Sequence, residues 1–115
     1  MNISQFVKEN ITVFHISGRF VMAGAPQAKK EIEETIQQGV NQLIIDLSEV
    51  DFIDSSALGI LIIILKKMQE RSGSLCLVTN NKVQSVIELT RLHTLFTITP
   101  TLEQALDIIK NESDQ

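Results

Sequence analysis

The stretch QLIIDLSEVDFIDSSALGILIIILKKMQERSG, residues 42–73, decides how the rest of the chain is read. Its first part, Gln42–Leu47, is after Gln42 a continuous apolar run interrupted only by Asp46, the pattern of a central strand covered on both faces. Its second part is ambiguous by composition, because Ile and Leu crowd residues 57–65 as densely as in a buried strand. Length and punctuation favour a helix. Polar residues that can cap precede the run, Lys66, Lys67 and Arg71 fall near its end, and Gly73 closes it.

Working outward, residues 3–8 and 11–17 carry β-branched and aromatic side chains on either side of Glu9-Asn10, which predicts an antiparallel hairpin. The segment 28–40 follows, with Ala28, Ile32, Ile36 and Val40 recurring every four residues, Pro26 suited to the first helical turn and Gly39 to its end. Beyond Gly73, residues 74–79 read as a buried strand. Asn81 can cap a helix in which Val83, Val86, Ile87 and Thr90 share a face. Residues 96–99 form a short last strand. Thr101 and Gln104 then make a T-x-x-Q capping box ahead of the stripe Leu102, Ala105, Leu106 and Ile109.

The order β-β-α-β-α-β-α-β-α predicts an α/β fold, with a mixed sheet of four to five strands joined by right-handed helical crossovers. No linker or repeat divides the 115 residues, so a single domain over 1–115 is expected, with a loose polar end over 111–115.

Composition excludes several functions. Ten Lys and Arg against 14 Asp and Glu leave a net charge of −4, without the basic field that gathers nucleic acid or an anionic membrane. Trp and Tyr are absent, so base-stacking platforms are hard to build. The uncharged stretch Ser55–Leu65 is far shorter than the about 20 apolar residues that span a bilayer. A lone Cys76 and an N-terminus without a basic start and apolar run favour a reducing cytoplasm. Cys76, set in SLCLV, reads as a small core residue whose pKa burial would raise.

Functional groups in open α/β sheets gather where strands end and helices begin, which directs attention to DLSEVDFIDSSALG, residues 46–59. It holds three carboxylates, Asp46, Asp51 and Asp54, and two hydroxyls, Ser55 and Ser56. The plain reading makes Asp54 or Ser55 a helix cap and leaves Asp46 and Asp51 as solvated loop residues. Against it, Ala57 and Gly59 are too small to shield the hydroxyls, so a modified serine fits this corner. A phosphoryl group on Ser55 would add about −1.5 to −2 charges at a helix start that tolerates them, changing the surface and sparing the core. A partner presenting carboxylates there would be repelled.

Catalysis lacks its usual apparatus. His15 lies mid-strand and His93 in a distant turn, the G-x-S-x-G elbow is missing, and neither phosphate-binding glycine pattern occurs. FTITPT supplies no Lys of the kind an aspartyl-phosphate receiver needs, and no Cys and His spacing suggests zinc. The Ile-rich helix is read as mainly buried, with any apolar excess available to a partner or to a second copy in a homodimer.

The chain resembles the STAS domain, specifically the small stand-alone anti-sigma factor antagonists. The resemblance rests on IIDLSEVDFIDSSALG and LCLVTNNKVQSVIELTRLHTLFTITPTLEQAL and spans nearly the whole chain. It implies that Ser55 is the phosphate acceptor, that Asp54 orients or caps, and that Ser56 is the unmodified neighbour. Asp54, Ser55, Ser56, Leu58 and Gly59 would then meet the partner. That partner would be an anti-sigma factor that is also an ATP-dependent serine kinase, bound when Ser55 is unmodified and released by phosphorylation. A serine phosphatase would reverse the modification. No cofactor is implied for this chain.

The sequence departs from the family at two places: Val21 stands where members often have Asp, and Arg91 where a turn often has Gly. Two other readings stand beside this one. One is a constitutive STAS scaffold or accessory subunit of a larger assembly or transporter, which Val21 favours. The other is an Asp-dependent phosphoenzyme or phosphatase using Asp46, Asp51 and Asp54.

Overall fold

The computed structural model describes residues 1–113. Glu9 and Asn10 both take left-handed backbone conformations (φ 54° and 68°), the geometry of a two-residue hairpin turn whose twist matches that of the strands it joins. They fold β1 (Asn2–Lys8) antiparallel onto β2 (Ile11–Phe20). β3 (Gln42–Ile53), β4 (Ser74–Val78) and β5 (Thr97–Thr99) then add in parallel, giving a five-stranded sheet in the order β1-β2-β3-β4-β5. The parallel strands are separated in sequence by α1 (Ala25–Gln37), α2 (Ser55–Glu70) and α3 (Asn81–Leu89), and α4 (Leu102–Ser113) follows the last strand.

Side-chain alternation assigns the two faces of the sheet. Phe14, Ile16, Leu43, Ile45 and Leu47 point into a core closed by Ala28, Ile32 and Ile36 of α1, Leu61 and Ile64 of α2 and Val83 and Ile87 of α3. Ile11, Val13, Ile44, Cys76 and Val78 point the other way and are covered by Ala105, Leu106 and Ile109 of α4. The central strand is therefore buried on both faces, as the apolar run Leu43–Ile45 requires. The disputed segment is a helix: Ile60, Leu61, Ile64 and Met68 are buried, and Ile63 faces outward. Lys67 does not simply dress the end of α2; its Nζ lies 2.9 Å from Glu33, which also takes Lys29 at 3.1 Å and so ties α1 to α2.

Several boundaries differ from the sequence expectation, each for a local reason. β2 and β3 run on to Phe20 and Ile53 because they pair with each other there. Val40 lies past the end of α1, where Gly39 turns the chain at φ 104°. Asn80 rather than Asn81 caps α3, and Thr90 is the exposed residue that ends it. Phe96 precedes β5, and a 3-10 turn, Leu92–Thr94, comes before it. Residues 111–113 continue α4, and the remainder of the expected loose end, 114–115, lies outside the described residues.

Gly73 ends α2, though not through a left-handed backbone. That conformation belongs to Ser72 (φ 54°), while Gly73 donates its amide to the Met68 carbonyl at 2.8 Å. A side chain at Gly73 would stand 2.9 Å from both the Asn41 carbonyl oxygen and the Met68 methyl, so close packing is what requires glycine here.

Candidate functional site

The corner at the start of α2 is built by a strand that outgrows its neighbour. β3 and β4 part company after Asp46 pairs with Val78, yet β3 continues to Ile53. Beyond that point the Asn80 side chain substitutes for the missing strand, donating from Nδ2 to the Ser48 carbonyl at 3.0 Å and the Val50 carbonyl at 2.6 Å. Its Oδ1 accepts the Val83 amide at 2.9 Å and caps α3. On the other side, β2 follows β3 through two slips of register, between His15 and Ser17 and between Gly18 and Arg19, and pairs Phe20 with Ile53. The Arg19 guanidinium lies 4.7 Å from the centre of the Phe52 ring along this extension.

Asp54 comes next, with extended backbone (φ −114°, ψ 180°), and it is the cap of α2. Its Oδ1 accepts the Ala57 amide at 3.0 Å, and its Oδ2 accepts the Met22 amide at 3.0 Å from the loop between β2 and α1. These bonds favour the anion: the Ala57 amide first, then those of Met22 and Ser56, hold the carboxyl below its usual range.

Because Asp54 takes the cap, Ser55 is left as the first helical residue with an exposed side chain. Ser56 is half-buried. Leu58 is only 6% exposed and belongs to the core beneath, whereas Gly59 is half-buried with nothing within 4 Å of where a side chain would start. The hydroxyl of Ser55 thus stands in the open at a helix start, where unpaired amides and the helix dipole favour added negative charge.

Two apolar side chains frame this corner that the sequence reading did not single out. Met22, 68% exposed, is held there by the Asp54 bond to its amide, and Ile63 is 39% exposed one turn beyond Gly59 on α2. The only sequence signal for Met22 is a large apolar residue in a loop beside Gly24.

The remaining carboxylates have other work. Asp46 is not a solvated loop residue: it is 7% exposed, accepts the Ser48 amide at 2.9 Å from Oδ1, and lies 3.2 Å from His15 Nδ1 through Oδ2. Glu49 holds the other ring nitrogen of His15, also at 3.2 Å. Partial burial pulls the His15 pKa down, but the hydrogen bonds to Asp46 and Glu49 and their charges outweigh it, and the net direction is upward. With both nitrogens engaged, His15 is not placed as a base for a serine. Asp51 is exposed on β3. Among the described residues no three acidic, His or Cys side chains converge as metal ligands. Cys76 is fully buried, and desolvation pushes its thiol up to about 11 despite a bond to Thr99.

The two sequence departures also find places. Val21 is half-buried, and its carbonyl accepts the amides of Gly24 and Ala25 at 3.0 and 2.9 Å. Arg91 adopts the left-handed conformation itself (φ 62°), so the turn after α3 keeps its shape without glycine.

Residues 2–105 match the STAS domain family. The chain belongs to the STAS family. This STAS domain is 31% identical over 104 residues to the anti-sigma-B factor antagonist of Listeria monocytogenes, covering 85% of this chain and 90% of that one. An anti-sigma factor antagonist from Mycobacterium paratuberculosis superposes with a TM-score of 0.84 at 29% identity, covering 95% of each chain. The unphosphorylated form of the anti-sigma factor antagonist SpoIIAA shares the STAS fold with a TM-score of 0.76 at 18% identity, covering 95% of this chain and 98% of that one.

Proposed function

We propose that this STAS domain is an anti-sigma factor antagonist, a binding module that docks through the start of α2 and is switched by phosphorylation of Ser55. The observation that supports it is the division of labour between adjacent residues: Asp54 caps the helix, and Ser55 is left exposed beside the open ground over Gly59. Docking by Ser55, Ser56 and Gly59 rests on Leu58, which anchors the first turn in the core, and on Asp54, which fixes its direction. The partner is an anti-sigma factor that doubles as a serine kinase, met in the bacterial cytoplasm, and a serine phosphatase resets the module. The chain itself is substrate and ligand. A dianion on Ser55 sits beside the ionised Asp54, so a partner that approaches with carboxylates is driven off.

Co-purification from native cells followed by phosphosite mapping tests this reading. It expects an anti-sigma factor in the complex and phosphate on Ser55, with Ser55→Ala retaining the partner and Ser55→Asp weakening it. Phosphate on a different residue overturns the acceptor. A tight complex with no phosphate under any condition, indifferent to both substitutions, supports the scaffold reading instead.

A further inference from the structure

β1 is an edge strand with one free side, and along its length only Ile3 is even partly buried. Proteins usually blunt such an edge with proline, a bulge, a charge mid-strand or a very short strand. β5, at the opposite edge, is three residues long. β1 has seven, pairs with β2 in unbroken register, and carries no proline, glycine or charge before Lys8.

The hairpin turn determines which backbone groups face outward. A two-residue turn closes on a hydrogen-bonded pair, here Lys8 with Ile11, and such pairs alternate along an antiparallel ladder. Phe6, Ser4 and Asn2 therefore bond inward to β2, and Ile3, Gln5 and Val7 present their N–H and C=O groups to the open side. We infer that β1 pairs with β1 of a second copy, antiparallel about a two-fold axis through Gln5, joining two sheets into one of ten strands.

That register engages every outward group: Gln5 meets Gln5 of the other copy, and Ile3 meets Val7 on both sides of the axis, each as a hydrogen-bonded pair. It is also self-complementary in side chains. On the α1 face, Val7, 69% exposed, gains an Ile3 neighbour, while Gln5 is steadied by the Thr35 hydroxyl, which donates to its Oε1 at 3.3 Å. On the opposite face Phe6, 42% exposed, lies across from Ser4, and Lys8 from Asn2, so no like charges meet. One strand pair is small beside the interfaces of obligate dimers, which makes this a concentration-dependent association. It leaves the Ser55 corner alone, since Ser55 follows β3, two strands in from the edge.

Sedimentation velocity over a concentration series on the full chain tests the inference. The expected result is a monomer–dimer equilibrium weakened by about tenfold or more in Gln5→Pro, which removes an outward N–H without touching the β1–β2 ladder, and in Val7→Lys, which places a charge against Ile3. Circular dichroism checks that both variants fold. Register is read by oxidation: Gln5→Cys forms a covalent dimer, because hydrogen-bonded partners sit about 5.5 Å apart, within disulfide range. Lys8→Cys does not, its two copies being separated by about 20 Å of strand. A monomer at every concentration, a dimer indifferent to Gln5→Pro and Val7→Lys, or equal cross-linking of the two cysteine variants overturns it.

Discussion

The Asp54 carboxylate bonds the Met22 amide at 3.0 Å across 32 positions of sequence, while its other oxygen caps α2 at Ala57. One side chain thus fixes both the helix start that carries Ser55 and the loop that carries Met22. Asp54→Ala releases both: the melting temperature falls, and amide exchange accelerates at Met22 and Ala57 before it does in β3 or β4. Asp54→Asn keeps an acceptor for the cap and falls between the two. Because the native carboxyl lies below its ordinary range, this contribution is present above the usual carboxylate pKa and is lost as pH falls through the depressed value. Melting curves of wild type and Asp54→Asn should therefore converge on acidification.

Gly59 separates helix stability from docking. Nothing stands near the position of a side chain there, so Gly59→Ala should stabilise α2 by about 0.5–1 kcal/mol in chemical denaturation. Gly59→Arg should fold equally well and lose the anti-sigma partner. A Gly59→Arg protein that binds at full affinity would move the docking surface away from this face.

The turns after α2 and α3 make an opposite pair with Gly73. Ser72 and Arg91 hold left-handed backbones at φ 54° and 62°, so Ser72→Gly and Arg91→Gly should each stabilise by up to about 1 kcal/mol. Gly73→Ala should destabilise, because the added methyl meets the Asn41 carbonyl, which is backbone and cannot step aside. Urea midpoints at constant slope measure all three.

His15 gives the sheet a pH-dependent brace. Its pKa is raised in the folded chain, so the stabilisation is complete below the ordinary histidine value of about 6.5 and fades as pH rises through the higher folded value. His15→Gln should flatten this part of the stability curve, with its largest deficit on the acidic side. A proton NMR titration of the His15 ring in the folded chain and in denaturant gives the shift directly.

Asn80→Asp tests the surrogate strand. Aspartate caps α3 as well as asparagine does, but it replaces two donated hydrogen bonds, to Ser48 and Val50, with an anion facing two carbonyls. A loss of about 2 kcal/mol is expected, with faster amide exchange concentrated in residues 48–53. Asn80→Asp with wild-type stability would mean the cap alone matters.

How much of this was legible beforehand follows from how local each signal is. The element order, a cap at Asp54 or Ser55, which the structure gives to Asp54, and the buried Cys76 could be read because each rests on a few adjacent residues: an apolar run, polar residues just before it, apolar neighbours. The second half of β3 could not. SEVDFI looks like a polar loop until β2 pairs with it on one side and Asn80 supports it on the other. The choice between Asn80 and Asn81 has the same origin, since either can cap and only the carbonyls of a distant strand decide. Asp46 falls within the expected strand, but the reading that leaves its carboxylate solvated fails because its partner His15 arrives from β2. Met22 enters the candidate site through its backbone amide, which a side-chain motif does not encode.

The support along the second half of β3, the strand that leads into the Ser55 corner, is an uncharged carboxamide. Asn80 neither titrates nor attracts counterions, so the platform holds the same posture in dilute and concentrated electrolyte. Salt dependence in docking therefore traces to the Asp54 carboxylate, the modified serine and the visitor, and not to the carboxamide that holds β3.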